Sequence, residues 1–212
     1  MKLYQTIDQE FSREFWALVG AAKKIALTVH HSPDEDAIGS LMAVSQIIKQ
    51  RHSEAELTLA ITGLPVERFA SFPLFSTIQF VIDIADLIIG ADLIIYLDGG
   101  QRHRFSHEPE KMAKLAAKTI CLDHHRSPPD GFDLAIIVPE EPATCSLLYQ
   151  IFIADFKLDK NLAEALLLGI LGDTGNFAFL KPHQTEILLL AKNLIDVAQV
   201  EIAEFQTRYR GT

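Results

Sequence analysis

Acidic residues and histidines cluster at three places in the sequence, each at the end of an apolar run. The segment TVHHSPDEDAIGS (residues 28–40) continues from KKIALTV, the segment YLDGG contains Asp98, and the segment CLDHH contains Asp123, His124 and His125. Carboxylates and imidazoles are the oxygen and nitrogen ligands that suit Mn²⁺, Mg²⁺, Fe and Zn²⁺. Because none of the candidate ligands is a cysteine, a harder ion than a structural zinc is favoured.

The acids are spaced so that they could serve two ions at once. Asp34 and Asp36 are two positions apart across a turn, so each can reach a different ion, and Asp98 at a strand end can bridge two ions with its two oxygens. Two metals about 3.5 to 4 Å apart form the clamp that phosphatases and nucleases use.

A fourth candidate is Asp173, which interrupts the apolar helical segment GILGDTGNF. An isolated aspartate is costly to bury unless it is paired or bound to a metal, although a helix C-cap or turn acid is an equal alternative. Simpler interpretations exist for others too: His31 as a solvated or capping histidine, Asp36 as a helix N-cap, and His124 and His125 as strand caps. The coincidence of four clusters favours a shared site.

Short β-branched runs alternate with helical patterns, which is typical of a parallel sheet covered by helices on both faces. The predicted strands are 24–30, 56–61, 78–82, 93–98, 118–123 and 134–139, and the predicted helices lie near 37–51, 107–116 and 144–155. From about residue 143 the pattern is entirely helical. We therefore predict an α/β fold, a three-layer α/β/α domain with a parallel sheet and a helical C-terminal part. Its ligands should collect beyond the carboxyl ends of the strands, where the polar clusters fall.

Composition narrows the class of protein. The chain has 212 residues, 49% apolar and 22% charged, without a visible linker or repeat, so we expect a single domain over residues 1–212. The net charge of −9 argues against a protein that grips long nucleic acid through its phosphates, which requires a basic face. A small phosphorylated substrate remains compatible, because bound cations would offset the local negative charge.

Neither a membrane segment nor a disulfide framework is indicated. The N-terminus lacks the apolar core of a signal peptide, and the longest apolar stretch, DLIIGADLIIYLDGG, is interrupted by Asp92. Cys121 and Cys145 form no CxxC pair, so we predict two buried small hydrophobic residues. A cytoplasmic, soluble enzyme is expected.

The segments HHSPDEDAIGS, YLDGG, CLDHH and GILGDTG resemble, in this order, the four motifs of the DHH phosphoesterase superfamily. The resemblance extends from about residue 23 to residue 180. It is strongest to the nanoRNase and pAp phosphatase branch, whose first motif is HxxPDxDAxGS. The resemblance implies a DHH catalytic domain and two divalent cations, Mn²⁺ in the first place and Mg²⁺ as the alternative.

The resemblance also implies roles for individual residues. One ion would be held by His30, Asp34 and Asp98, and the other by Asp36, Asp98, His124 and Asp173. His30 is preferred to His31 because it stands four residues before the first aspartate, as in the family. His125 would contact the phosphate or protonate the leaving oxygen, Arg104 would bind a phosphate oxygen, and Asp123 would orient a histidine.

The implied activity is hydrolysis of small phosphorylated nucleotides or short oligonucleotides (nanoRNA, pAp or linear dinucleotides) by a water that the two metals activate. One alternative is a manganese-dependent inorganic pyrophosphatase, although LDGGQRHR lacks the histidine that pyrophosphatases usually place after the bridging aspartate. The other is a non-catalytic nucleotide-binding module completed by a partner. The sequence does not fix the oligomeric state, and a homodimer is compatible with it.

Two features depart from the family pattern. The residue between the paired aspartates is commonly glycine in this branch, and here it is Glu35. Members of the branch also carry a second, DHH-associated domain that closes over the cleft, and we expect this sequence to lack it. Without that closure, positioning of the substrate and exclusion of water would be weaker.

Overall fold

A six-stranded parallel sheet forms the centre of the molecule. The computed structural model describes residues 9–126 and 128–210. The strands are β1 (Lys24–Thr28), β2 (Glu56–Thr62), β3 (Ile78–Val81), β4 (Leu93–Leu97), β5 (Lys118–Asp123) and β6 (Leu134–Ile137), in the order β3-β2-β1-β4-β5-β6. All five strand pairs are parallel. The predicted α/β class is confirmed, and each strand lies within one or two residues of its predicted bounds.

Helices cover the sheet and continue beyond it. They are α1 (Gln9–Ala21), α2 (Glu35–Arg51), α3 (Ile84–Leu87), α4 (Pro109–Met112), α5 (Thr144–Phe152), α6 (Lys160–Asp173), α7 (Ile187–Ala198) and α8 (Ile202–Arg210). As predicted, the part of the described chain after β6 is helical. Among the described residues, no helix is long and apolar enough to cross a membrane.

Side chains of the strands alternate between two apolar layers. In β1, Leu27 faces the larger layer and Ala26 the smaller one; in β4, Ile95 and Tyr96 divide in the same way. Successive residues of a strand point to opposite faces, so a strand that is covered on both sides must be apolar throughout. The continuous apolar runs that predicted these strands have this physical origin.

The two faces are covered unequally. The larger layer packs against the long helices, whereas the smaller one lies under the short helices α3 and α4. The helix predicted near 107–116 is reduced to Pro109–Met112. Met112 is the buried residue of this segment. Because the packing of one buried side chain stabilises a helix only weakly, the helix does not extend further. The prediction of a long helix here was therefore wrong.

Helix α1 was not among the predicted elements. Its buried side chains, Phe11, Phe15, Trp16 and Val19, recur at helical spacing and join the larger apolar layer. Charged and polar residues between them obscure the pattern in the sequence, although the spacing was a usable signal.

Helices α2 and α6 pack closely enough to require glycine at their contact. A Cβ on Gly39 would lie 2.5 Å from the carbonyl oxygen of Ala165, and one on Gly169 would collide with Asp36 Oδ1 and Cys145 Sγ. The close packing of α2 and α6 brings the C-terminal end of α6 to the edge of the sheet.

Both cysteines are buried and form no disulfide, as predicted.

We expect Gly169→Ala to lower the free energy of unfolding by about 1 to 3 kcal/mol, because the added methyl group must push α2 and α6 apart. Alanine has the higher helix propensity by up to about 1 kcal/mol, so without the collision the variant would be more stable. Urea unfolding measures the difference. Gly131→Ala is the control, since nothing lies within 4 Å of a Cβ there. Equal stability of the two variants would contradict the proposed constraint.

Candidate metal centre

The strand order places the polar clusters beside one another. The first strand, β1, lies at the centre of the sheet; the chain then moves outward to β3 and returns to β4 on the other side of β1. Ligands of open parallel sheets bind where the strand order reverses in this way. His30 follows β1 by two residues, Asp98 follows β4 directly, and Asp123 ends β5. The sheet therefore delivers these three side chains to one edge.

The first group consists of His30, Asp34 and Asp98. His30 Nε2 lies 3.4 Å from Asp98 Oδ2 and 3.8 Å from Asp34 Oδ2, and it is buried without an aligned hydrogen bond to any described residue. Burial alone would lower the pKa of His30, but the two carboxylates raise it to about 9. Burial would raise the pKa of Asp34, whereas His30 and the Ala37 amide lower it to about 2. The group thus favours positive charge at its centre.

The second group consists of Asp36, His124 and Asp173. His124 Nε2 lies 2.9 Å from Asp173 Oδ2 and 3.8 Å from Asp36 Oδ2, and again no described residue forms an aligned hydrogen bond with it. Burial would lower the pKa of His124, but Asp173, Asp36 and Asp98 raise it to about 10. Burial raises the pKa of both carboxyl groups of this set, and repulsion from Asp98 adds to the rise.

Asp98 belongs to both groups. Its Oδ2 faces His30, and its Oδ1 lies 3.6 Å from His124 Nε2 and accepts a hydrogen bond of 3.0 Å from the Thr144 hydroxyl. The residue is 1% exposed and has a φ of +57°, in the left-handed region. Such a conformation costs a non-glycine residue about 1 to 3 kcal/mol and is concentrated at functional sites. The strained backbone aims one oxygen at each group.

Asp36 is held by the start of α5. The residue is fully buried, and its carboxylate accepts hydrogen bonds from the amides of Thr144 (2.5 Å) and Cys145 (2.9 Å). These are the first amides of α5, which has no side-chain cap of its own. A carboxylate is stabilised there by the unpaired amides and the helix dipole. Asp36 is therefore a cap, but of α5 rather than of its own helix; Asp34 caps α2.

Both histidines after β5 are oriented through Nδ1. His124 Nδ1 lies 3.2 Å from the carbonyl oxygen of Glu141, so it donates there and leaves Nε2 as the nitrogen that can bind a cation once its proton is released. His125 Nδ1 lies 2.7 Å from Asp123 Oδ1, which also accepts the amides of both histidines. Burial would raise the pKa of Asp123, but the hydrogen bond from His125 holds it below its usual value. Asp123 thus orients His125.

Arg104 and His31 lie next to residues that adjoin the first group. A Cβ on Gly99, the residue after Asp98, would be 3.5 Å from Arg104 Nη1. The Arg104 carbonyl accepts the His31 amide at 2.7 Å. The guanidinium of Arg104 forms no ion pair with any residue in the two described ranges. His31 is exposed, belongs to neither group, and its ring lies 5.9 Å from that of His107.

Glu35 stands where the family commonly has glycine, and its backbone explains why glycine is unnecessary. Glu35 is the first residue of α2 and does not have a positive φ. Its side chain packs against Gly172 in α6 and forms an ion pair of 3.3 Å with Arg68. Glu35 therefore joins the start of α2 to two neighbouring segments and belongs to neither group.

The residues present fit a pair of divalent cations. In each group the ligand atoms lie within 4.8 Å of one another, and Asp98, His124 and His125 form a third such set. The buried Nε2 atoms of His30 and His124 have carboxylate oxygens around them and, among residues 9–126 and 128–210, no aligned hydrogen-bond partner, which leaves them available as ligands. The structure brings all six predicted ligands together; their roles as ligands stay a prediction.

The family model described as the DHH family, N-terminal domain, matches residues 24–170. The chain belongs to the DHH family. The resemblance of the four motifs to the DHH superfamily is therefore confirmed, and the motif that gives the family its name stands at the end of β5.

Two curated relatives of this DHH chain show which proteins it is similar to. It is 28% identical over 191 residues to the bifunctional oligoribonuclease and PAP phosphatase NrnA of Thermus thermophilus, covering 87% of this chain and 53% of the relative. It is 27% identical over 198 residues to a probable manganese-dependent inorganic pyrophosphatase of Lactococcus lactis, covering 86% and 58%. The chain spans about half the length of the first curated relatives it matches.

A solved structure supports the fold of the DHH chain. An exopolyphosphatase-related protein from Bacteroides fragilis superimposes with a TM-score of 0.84 at 22% identity, covering 97% of this chain and 61% of that one. At this identity the likeness concerns the fold alone, and it confirms the three-layer arrangement.

Sequence reasoning missed two residues of this DHH site. Thr144 contacts Asp36 through its amide and Asp98 through its hydroxyl, and Glu141 supplies the carbonyl for His124. Both lie in EPATCSLLYQ (residues 141–150), which is outside the four segments that resemble family motifs. The signal was a threonine at the start of a helix without a capping side chain before it.

We expect Thr144→Val to lower the free energy of unfolding by about 1 to 3 kcal/mol, because the buried Oδ1 of Asp98 loses a hydrogen-bond donor. Urea unfolding with a chelator present measures the effect without any contribution from metal binding. Thr207→Val removes an exposed hydroxyl of α8 and should change stability by less than about 0.5 kcal/mol. Equal losses in the two variants would show that the hydrogen bond to Asp98 contributes nothing.

Proposed function

We propose that the protein is a metal-dependent phosphoesterase that hydrolyses small phosphorylated nucleotides or short oligonucleotides, such as nanoRNA, pAp or linear dinucleotides. The observation that carries the proposal is the position of Asp98, a buried carboxylate with one oxygen toward each of two groups of ligands. A shared carboxylate is the arrangement that holds two cations close enough to act on one phosphate.

The proposed ligands divide as the motif comparison implies. His30, Asp34 and Asp98 would hold one cation, and a second set would hold the other: Asp36, Asp98, His124 and Asp173. We propose Mn²⁺, with Mg²⁺ as the alternative, since imidazole and carboxylate ligands suit the former and a manganese-dependent protein is among the relatives. When bound, the cations lower the pKa of a water and offset charge on the phosphoryl oxygens.

His125 is proposed to transfer a proton. Its Nδ1 is fixed by Asp123, while the ring is 36% exposed and lines the cavity beside the centre. Nε2 can therefore hold a proton at the cavity and give it to the leaving oxygen of the substrate. Asp123 keeps the ring in the orientation that this transfer needs.

Arg104 is proposed to bind a phosphate oxygen. It lies beside the residue that follows Asp98, and its guanidinium has no carboxylate partner in the described part of the chain. A planar, permanently charged donor suits a phosphate better than a lysine would. The site would thus hold its substrate between cations on one side and Arg104 on the other.

The relative named as a pyrophosphatase supports a second candidate, hydrolysis of inorganic pyrophosphate. The two functions differ in whether an organic group is recognised. Release of phosphate from pAp and from pyrophosphate, measured side by side with Mn²⁺, decides between them. Faster hydrolysis of pAp supports the proposal, and hydrolysis of pyrophosphate alone would replace it with the second candidate.

Calorimetric titration with Mn²⁺ should show two sites in the wild-type protein and one in His30→Ala, because the first group loses its only nitrogen ligand. His31→Ala is the matched control, as the neighbouring histidine belongs to neither group, and it should keep two sites. A single site in the wild-type protein, or an equal effect of both substitutions, would contradict the assignment.

His125→Ala should lower kcat on pAp by roughly 10²- to 10⁴-fold, the usual contribution of a general acid. The variant should still bind two Mn²⁺ ions, since His125 is proposed to transfer a proton rather than to ligate. Steady-state kinetics and titration of the same preparation provide both measurements. Loss of a metal site would instead place His125 among the ligands, as its distance to Asp98 also allows.

A further inference from the structure

Phe179 is the large apolar side chain that stands exposed beside the candidate metal centre. It is 72% exposed and lines a cavity of about 260 Å³ together with His124, His125 and Asp173. Solvent exposure of an aromatic ring is unfavourable by itself. Its place in the wall of this cavity therefore calls for an explanation.

The Phe179 ring is held in place by contact with Gly175. A Cβ on Gly175 would lie 2.6 Å from Cδ2 and 2.7 Å from Cζ of Phe179, so the ring rests directly on the glycine. The Phe179 amide also donates to the carbonyl of Thr174 at 3.0 Å. One edge of the ring is thus packed against the backbone that follows Asp173, while most of the residue stays exposed.

The turn that carries the ring is strained and firmly fixed. Three consecutive residues, Gly175, Asn176 and Phe177, have positive φ angles of 55°, 57° and 71°. The side chain of Asn176 accepts hydrogen bonds from Gln206 (2.6 Å) and Tyr209 (3.1 Å), both in α8. Strained backbone persists only where surrounding contacts enforce it, and it is concentrated at functional sites. The fold thus constrains the backbone that leads to Phe179.

Two positively charged side chains line the same cavity. Arg126 and Lys181 both line the cavity and are exposed, and neither forms an ion pair with another residue in the described part of the chain. The cavity therefore combines the imidazoles of the candidate metal centre, unpaired positive charge and an exposed aromatic ring. A nucleotide combines the complementary groups, a phosphate and a flat heteroaromatic base.

We propose that Phe179 is the platform on which the base of the substrate stacks while its phosphate lies at the metal centre. This inference rests on the proposed function and specifies how the organic part of the substrate is recognised. Stacking on an aromatic ring tolerates any base and typically changes affinity by roughly 10- to 100-fold. The platform would thus select nucleotides over inorganic phosphates without selecting among bases.

Two ligands that differ only by the base test the proposal. We expect the wild-type protein with Mn²⁺ to bind adenosine 5′-monophosphate at least about tenfold more tightly than ribose 5-phosphate, by calorimetry. Phe179→Ala should reduce this ratio to about one by weakening only the nucleotide. Phe179→Trp should preserve the ratio and Phe179→Leu should lose it, since leucine is apolar but cannot stack. In Phe179→Trp, the nucleotide should also quench tryptophan emission, and ribose 5-phosphate should not.

Ile82→Ala is the matched control, because Ile82 is 93% exposed and lines a different cavity. It should leave the ratio unchanged, and melting temperatures should confirm that every variant is folded. A wild-type ratio near one, an unchanged ratio in Phe179→Ala, or full retention in Phe179→Leu would overturn the platform while the proposed function stands. If neither ligand binds and pAp is not hydrolysed, the proposed function falls, and this inference with it.

Discussion

The density of negative charge at the carboxyl ends of β1, β4 and β5 is the constraint around which this end of the molecule is built. Asp36 and Asp98 are both buried almost completely, and a buried carboxylate is costly without fixed partners. The first amides of α5 and the hydroxyl of Thr144 supply part of the compensation. Two imidazoles supply the rest only when they carry protons. This balance predisposes the site to take up cations.

The positions of the helices follow from the same constraint. Helix α6 must approach α2 closely for Asp173 to reach the centre, and the glycines at their contact permit that approach. Helix α5 must point its first turn at Asp36, because that carboxylate is its cap. Packing of the larger apolar layer and the geometry of the charged site are therefore satisfied by one arrangement, and a shift of either helix would disturb both.

The sequence predicted the sheet well because strands covered on both faces must be apolar throughout, a pattern visible without tertiary information. It predicted the helices less well. Met112 alone could not sustain the long helix expected near 107–116, and α1 was hidden among charged residues. The candidate ligands were found because their types are unusual at strand ends. Thr144 was missed because its importance comes from contacts with residues more than 40 positions away.

The neighbouring strands β1 and β4 also form a seam between two halves of the sheet. The first half, β1 to β3, carries His30 and, at the start of the helix that follows β1, Asp34 and Asp36. The second half, β4 to β6, carries Asp98 and His124. On the proposed ligand assignment, each cation is held by residues from both sides of this seam. Opening the sheet there would require breaking the coordination of both ions at once. The bound cations would therefore stabilise the pairing of β1 with β4. The backbone amides that are hydrogen-bonded between these two strands would be among the last to exchange their protons.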